Sequence, residues 1–138
     1  MTEIIDGEAV AADVRDAVAD EVSRLSDSGV EPGLATVLMS DDPASETYVS
    51  MKQRDCEEVG IESFHVEIDA DAPAWRLYET IDDLNDRDDV HGILVQLPLP
   101  DHVDKRTVLR RIAPEKDVDG FHPENVGRLV AGDARVKP

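Results

Sequence analysis

The sequence has 138 residues, of which 41% are hydrophobic, and this is enough for one domain with a buried core. Fourteen Lys and Arg residues stand against 32 Asp and Glu residues, which gives a formal net charge of −18. A negative field of this size repels polyanions and argues against nucleic-acid binding. The longest apolar runs, 34–39 and 93–95, are too short to cross a bilayer, so we expect no membrane association.

The acidic residues are dispersed along the whole chain. A dispersed acidic surface favours solubility and is typical of adaptation to high salt, where ions screen the repulsion. The alternative is an acidic surface that recognises a basic partner, and this would require the charge to lie on one face.

Cys56 is the only cysteine, so the chain cannot form an internal disulfide. The N-terminus has no basic segment leading into an apolar stretch, so it does not resemble a signal peptide. Both features favour a cytoplasmic location.

The start of the chain predicts a helix followed by a strand. Between Gly7 and Gly29, apolar residues recur with the spacing of one helix face, at Val10, Val14, Val18, Val22 and Leu25. Residues 34–39 then form an almost wholly apolar run, which is typical of a strand covered on both faces. A strand of this kind requires helices above and below the sheet.

The same alternation continues to the middle of the chain. Asp42 and Pro43 fit the N-cap and first residue of a second helix, which the pattern extends to Gly60. Residues 61–68 alternate as a strand, and a third helix with one apolar side is predicted from Pro73.

A third strand over 91–97 and a short helix over 103–112 complete the regular pattern, and a further short helix is predicted around 125–130. Strands that alternate with helices predict an α/β fold with a mostly parallel, right-handed sheet in a single three-layer domain.

Polar residues that could carry chemistry follow the predicted strands. Ligands in a parallel α/β sheet collect beyond the carboxyl ends of its strands. Tyr48 and Lys52 lie four residues apart, so they share one helix face near the loop after the first strand. A lysine can act as an acid or base near neutral pH where desolvation or a neighbouring cation favours loss of its proton. The alternative is a packed ring beside a solvated amine.

Gln96 ends the third apolar strand and is followed by Leu97-Pro98-Leu99-Pro100. The two prolines give the chain a rigid exit from the sheet, and a buried amide at this point needs a hydrogen-bond partner. Lys52 is a candidate partner. In the alternative interpretation, Gln96 only caps the strand.

Asp117 and Asp119 lie two residues apart in a loop beside Gly120, which permits an unusual backbone turn. Their carboxylates could accept hydrogen bonds from the N–H groups of a heterocycle. A hard cation is the alternative ligand, but it would need more oxygen ligands than this stretch offers. The four histidines lack zinc-ligand spacing, and we predict no metal site.

Several stretches together resemble the methylenetetrahydrofolate dehydrogenase/cyclohydrolase family, and they cover most of the chain in the family's order. They are Tyr48-Val49-x-x-Lys52, Gly60-Ile61, Gly92-Ile93-Leu94-Val95-Gln96-Leu97-Pro98-Leu99-Pro100 and Pro114-x-Lys116-Asp117-Val118-Asp119-Gly120-Phe121-His122-Pro123. Asn125-Val126-Gly127 also fits the family. The resemblance implies oxidation of 5,10-methylenetetrahydrofolate by a nicotinamide cofactor, NADP or NAD, and hydrolysis of the methenyl product to 10-formyltetrahydrofolate.

The resemblance also implies a role for individual residues. Lys52 would be the acid/base residue of the hydrolytic step, and Gln96 would hydrogen-bond to it and tune it. Tyr48 would stack on the aminobenzoate ring of the folate, and Asp119 would anchor the pterin. Supporting substrate-binding positions match Ser45, Leu97, Pro98 and Asp117.

Family members continue into a Rossmann domain that binds the cofactor and usually carries the interface of a homodimer. The 138 residues contain no G-x-G-x-x-G loop, so we expect residues 1–138 to be the folate-binding catalytic domain of a longer protein. Hydride transfer is not expected from this part alone. Two alternatives remain: a non-catalytic folate-binding module that works beside a separate nucleotide-binding chain, and an unrelated acidic α/β adaptor.

Overall fold

The computed structural model describes residues 1–135, and residues 136–138 of the predicted domain lie outside that part. The described helices and strands follow the alternating order predicted from the sequence. They are α1 (Gly7–Asp27), β1 (Gly33–Leu38), α2 (Pro43–Val59), β2 (Glu62–Glu67), α3 (Ala74–Asp86), β3 (Gly92–Val95), α4 (Lys105–Arg111) and α5 (Pro123–Val130). None of these helices has the length and apolar character that are needed to cross a bilayer.

The ends of α2 follow directly from its sequence. The Asp42 carboxylate accepts a hydrogen bond from the backbone N–H of Ala44, and Pro43 occupies the first turn, where its missing N–H leaves no helix hydrogen bond unmade. The helix ends at Gly60, whose φ of 88° is unfavourable for residues with a side chain. The predicted start and end of this helix are therefore confirmed.

The three strands form a parallel sheet in the order β2-β1-β3. Gly33 of β1 lies opposite Glu62 of β2, and Leu34 lies opposite Gly92 of β3. Because β1 is the central strand, its side chains are covered on both faces, as the apolar run 34–39 predicted.

One face of the sheet packs against α3 and α4. Successive strand residues point to opposite faces, so Ala35 and Val37 of β1 share this face with Ile93 and Val95 of β3. The helices complete the core cluster with Leu77, Ile81, Leu84, Val108 and, just after α4, Ile112.

The other face of the sheet packs against α2, and α1 lies against α2 on the outside. Thr36 and Leu38 of β1 point to this face and are almost fully buried. Val22 of α1 is buried beside the end of α2, where a Cβ placed on Gly60 would lie 3.2 Å from its Cγ1. Helices cover both faces of the sheet, which confirms the predicted three-layer α/β arrangement.

Some predicted boundaries are displaced. The third strand ends at Val95 instead of residue 97, although the Gln96 N–H still donates to the Val37 carbonyl at 2.9 Å. Pro98, which has no N–H, cannot extend this strand as a hydrogen-bonded partner. The fourth helix begins at Lys105 instead of residue 103, because the Asp104 carboxylate caps it by accepting from the Thr107 N–H.

Candidate active site

The carboxyl edge of the sheet brings together two polar residues that are 44 positions apart in the chain. Lys52 lies on α2, and Gln96 follows the last residue of β3. The Nζ of Lys52 donates a hydrogen bond to the Oε1 of Gln96 over 2.9 Å, and both side chains are partly buried. The partner that the sequence suggested for Gln96 is therefore the one that the fold provides.

The amide of Gln96 is oriented by a second contact. Its Nε2 donates to the carbonyl of Leu97 at 3.0 Å, so its Oε1 is the atom that faces Lys52. The peptide bond between Leu97 and Pro98 is cis. Gln96 therefore acts as a fixed hydrogen-bond acceptor for the lysine, and the alternative that it only caps the strand does not describe its contacts.

The helix α2 sets Tyr48 and Ser45 at defined distances from Lys52. Tyr48 precedes Lys52 by one turn and is 57% exposed, so its ring is available to a flat ligand. Ser45 precedes Lys52 by two turns and is only 2% exposed. The structure therefore places Tyr48 on the surface of the site and Ser45 beneath it.

Asp119 lies on the loop between α4 and α5 and is electrostatically coupled to Lys52. Burial raises the pKa of its carboxyl above the usual aspartate value, the charge of Lys52 lowers it, and the charge of Asp117 raises it. The loop turns at Gly120, where φ is 69° and a side chain would be strained. A partly buried carboxyl thus lies close enough to Lys52 for the two charges to interact.

Asp117, which the family resemblance assigns to a supporting substrate-binding position, is buried in the structure. It is 2% exposed, and its Oδ2 accepts hydrogen bonds from the His122 N–H at 2.8 Å and from the Asn125 Nδ2 at 2.9 Å. A carboxylate oxygen engaged by two internal donors is part of the scaffold. The structure brings Asp117 to the site as an internal support, and direct substrate contact by this residue stays a prediction.

Lys116 of this loop and Asn125 of α5 support the site in a way that sequence patterns did not reveal. Lys116 donates from its Nζ to the carbonyls of Leu84, Asn85 and Arg87 at the end of α3, at 3.3, 2.8 and 2.8 Å. Asn125 is 5% exposed and donates to Asp117. The position of Lys116 beside Asp117 was the only feature of the sequence that pointed to this lysine. Its carbonyl partners are about 30 residues away in sequence, so only the fold reveals them.

The loop also lies directly against β3. The Ile93 N–H donates to the Lys116 carbonyl at 2.7 Å, and Ile93 forms an isolated parallel bridge with Asp117. At Gly92 a Cβ would come within 2.6 Å of Val118, so a glycine is needed where the loop crosses the strand. The loop therefore runs beside the same strand that leads to Gln96.

Two open cavities lie near the carboxyl edge of the sheet. One, of about 590 Å³, is lined by Leu97, Pro98 and neighbouring residues, and the other, of about 560 Å³, lies where β2 leads into α3. Neither is lined by Lys52 or Asp119, so the side-chain contacts and not a cavity define the candidate site. Residues 1–135 contain no group of three or more His, Cys, Asp or Glu side chains placed to hold a metal ion.

The chain matches known proteins over its whole length. Residues 5–119 match the family described as tetrahydrofolate dehydrogenase/cyclohydrolase, catalytic domain. The chain is 70% identical over 138 residues to the bifunctional protein FolD of Natronomonas pharaonis and to the bifunctional protein FolD 1 of Haloarcula marismortui. In both comparisons all of this chain is covered but only 46% of the relative, so the chain spans about half the length of these curated proteins.

Solved structures show the same fold. The bifunctional FolD enzyme of Campylobacter jejuni is 46% identical with a TM-score of 0.90, and the match covers 92% of this chain and 45% of the other. The Trypanosoma brucei FolD structure, described as complexed with NADP cofactor and inhibitor, is 38% identical with a TM-score of 0.89, covering 93% and 44%. Together with the paired Lys52 and Gln96, these matches show that the chain belongs to the tetrahydrofolate dehydrogenase/cyclohydrolase family and corresponds to its catalytic domain.

Proposed function

We propose that this chain is the folate-binding catalytic part of a bifunctional enzyme of folate one-carbon metabolism. The complete protein would oxidise 5,10-methylenetetrahydrofolate to the methenyl form and hydrolyse that product to 10-formyltetrahydrofolate. The observation that carries the proposal is the 2.9 Å hydrogen bond between Lys52 and Gln96 at the carboxyl edge of the sheet, in a chain of this family.

The hydrolytic step requires a base at the site of the lysine. Water adds to the cationic methenyl carbon between N5 and N10 and must lose a proton, which the neutral amine of Lys52 accepts. The bond from that carbon to N5 then breaks while the new hydroxyl loses its proton and becomes the formyl carbonyl, so that one of the two protons of the water ends on N5 and the other leaves to solvent.

Gln96 keeps the amine in place during this transfer. Its Oε1 accepts one N–H of Lys52 while its Nε2 donates to the Leu97 carbonyl. The Lys52 amine is therefore held in one orientation, and the rest of the amine is left to face the substrate. Fixed geometry of this kind lowers the entropy cost of bringing base and water together.

The folate would be held on both sides of Lys52. The exposed ring of Tyr48 offers a stacking surface for the aminobenzoate group. The carboxyl of Asp119 is the acceptor that we assign to the N–H groups of the pterin, and Leu97 and Pro98 supply apolar contact along the cleft. Ser45, buried one turn below Tyr48, would support the substrate-binding surface from inside.

The nicotinamide cofactor, NADP or NAD, would supply the acceptor for the hydride that leaves the methylene carbon. The 138 residues contain no glycine-rich dinucleotide loop, so we assign its binding to the part of the relatives that this chain does not cover. No step of hydride transfer is derived from the residues of this chain.

The wider context is also part of the proposal. The complete protein would be a cytoplasmic homodimer without a membrane or nucleic-acid partner. The dispersed charge of −18 supports adaptation to high salt, as does the occurrence of halophilic relatives. The absence of any second cysteine is compatible with a reducing compartment.

The test is the substitution Lys52→Met in the full-length protein. The rate of methenyl hydrolysis, measured as the loss of methenyl absorbance, should fall by at least about a hundredfold, which is the lower end of the range for removal of a general base. Arg54→Met is the matched control, because Arg54 is an exposed cation on the same helix, two residues after Lys52, and its loss should leave the hydrolysis rate unchanged.

Folate binding and thermal unfolding of Lys52→Met should remain close to those of the wild type. A variant that folds, binds folate and still hydrolyses the methenyl substrate at the wild-type rate would remove the role assigned to Lys52.

A further inference from the structure

We propose that Asp117 and Asn125 form a clasp that positions Asp119, so that a pair of buried residues outside the cleft controls folate affinity. This inference rests on the proposed function, because it concerns the contact between Asp119 and the substrate. Both residues are positioning residues and neither needs to touch the folate.

The clasp joins the two ends of the loop that carries Asp119. The Nδ2 of Asn125, at the start of α5, donates to the Pro114 carbonyl at 2.8 Å and to the Oδ2 of Asp117 at 2.9 Å. The same Oδ2 accepts from the His122 N–H at 2.8 Å. One amide therefore ties the entry of the loop, at Pro114, to its exit at α5.

Asp119 lies between two fixed points of this loop. On one side, Asp117 is bridged to Ile93 of β3. On the other side, the Gly120 N–H donates to the Asp117 carbonyl at 3.3 Å and the backbone turns with a positive φ. The backbone of Asp119 can therefore shift appreciably only if the contacts of Asp117 are broken.

Because the clasp is buried, loss of one of its hydrogen bonds should displace Asp119. Asp117 is 2% exposed and Asn125 is 5% exposed, so water cannot replace a missing partner without rearrangement of the loop. A buried carboxylate that loses a donor is strongly disfavoured, and the loop will move to solvate it. That movement displaces Asp119, which lies two residues further along the chain.

Asp117 also acts on Asp119 through its charge. The negative charge of Asp117 contributes to the raised pKa of Asp119, after burial and against the effect of Lys52. Asp117→Asn keeps the shape of the side chain but removes this charge. The low-pH limit of folate binding should therefore move to lower pH, because Asp119 stays ionised further into the acidic range.

The first experiment uses Asn125→Ala in the full-length enzyme. The KM for the folate substrate should rise about tenfold, which corresponds to about 1.4 kcal/mol of lost binding, while the KM for NADP stays unchanged. In an Asp119→Ala background the same substitution should have no further effect on the folate KM, because the residue through which it acts is gone.

The matched control is Asn85→Ala. Asn85 is also an asparagine with two side-chain hydrogen bonds to the backbone, donating to the Arg111 carbonyl at 2.8 Å and accepting from the Ala113 N–H at 2.9 Å. It should lower stability and leave the folate KM unchanged. Asn125→Ser, which keeps a donor near Asp117, serves if the alanine variant does not fold, and should raise the folate KM to a smaller extent.

The clasp is refuted if Asn125→Ala or the folded serine variant leaves the folate KM within twofold of the wild type. It is also refuted if the effect persists in the Asp119→Ala background or is matched by Asn85→Ala, or if neither Asn125 variant folds while Asp117→Asn leaves the pH limit unmoved. The proposed function fails separately, because a full-length wild type without folate turnover would show this before any variant is made.

Discussion

The helices α3 and α1, on opposite sides of the sheet, both carry an apolar stripe but bury it to different extents. On one face α3 buries Leu77, Ile81 and Leu84, which are at most 3% exposed. On the other, α1 also carries an apolar stripe, yet Val10 and Val14 are 54% and 56% exposed and only Val22 of that helix is buried. A 3.6-residue period therefore predicts that a helix has an apolar face, but it does not say what that face contacts.

The difference has a physical cause in the order of the layers. The helices α2 and α3 lie next to the sheet, whereas α1 lies outside α2, with its buried Val22 beside Gly60. A helix in an outer layer has only one neighbour to cover its stripe. The stability of the domain should follow this difference in burial.

The contrast between the two stripes should appear directly in alanine variants. Leu77→Ala on α3 should lower the free energy of unfolding by about 2–5 kcal/mol, because it leaves a cavity in the core. Val14→Ala on α1 should change it by less than about 0.5 kcal/mol, because its side chain is already in water. Urea unfolding of both variants measures these free energies, and equal losses would show that the two stripes contribute equally to stability.

The polar contacts at the end of α3 should add to the stability of that face. Lys116→Met removes three hydrogen bonds from a charged donor to the carbonyls of Leu84, Asn85 and Arg87 and should cost about 3 kcal/mol. Lys105→Met removes the same charge from an exposed position and should be nearly neutral. Thermal unfolding at constant salt separates the two, and a loss shared by both variants would point to net charge instead.

Val22 is the one buried residue of α1, so its truncation should cost more stability than truncation of the exposed valines of that helix. Val22→Ala removes two buried methyl groups and should cost about 1.5 kcal/mol, which is less than Leu77→Ala but more than Val14→Ala. Urea unfolding midpoints of the three variants give the ranking. If Val22→Ala is as mild as Val14→Ala, then α1 contributes nothing to the fold through this contact.

The smallest expected effect concerns Asp119 beside α4 and α5. Burial raises the pKa of its carboxyl in the folded state, so the folded protein favours the protonated form. The stability that the protonated carboxyl contributes is lost as pH rises through the folded pKa. Asp119→Asn lacks this titration. Its stability relative to the wild type should therefore increase slightly from below the reference aspartate pKa of about 3.9 towards neutral pH.

Unfolding midpoints of both proteins across that pH range test the sign. A relative stability of Asp119→Asn that falls as pH rises would mean that Lys52 outweighs burial at this carboxyl.

Much of the candidate site could be predicted because its residues lie at recognisable positions. Lys52 and Tyr48 share a helix face, and Gln96 ends an apolar run, so their placement at the carboxyl edge followed from the alternation of strands and helices. Asn125 could not be assigned a task in the same way. Its partners, the Pro114 carbonyl and Asp117, lie 11 and 8 residues away in sequence, and no periodicity encodes these contacts.

The sequence by itself determined the order of the helices and strands, the parallel sheet and the chain's membership of its family. These properties depend on local signals, such as the Asp42 cap, the stop at Gly60 and the apolar run of β1, and each acts within a few residues.

Only the tertiary structure decided which polar groups are buried and what they contact. It buried Asp117 against the His122 N–H and Asn125, gave Lys116 three carbonyl partners at the end of α3, and left the stripe of α1 largely in water. These outcomes depend on contacts between segments that are distant in sequence, because burial and hydrogen bonding are set by whatever surface the packed chain brings alongside.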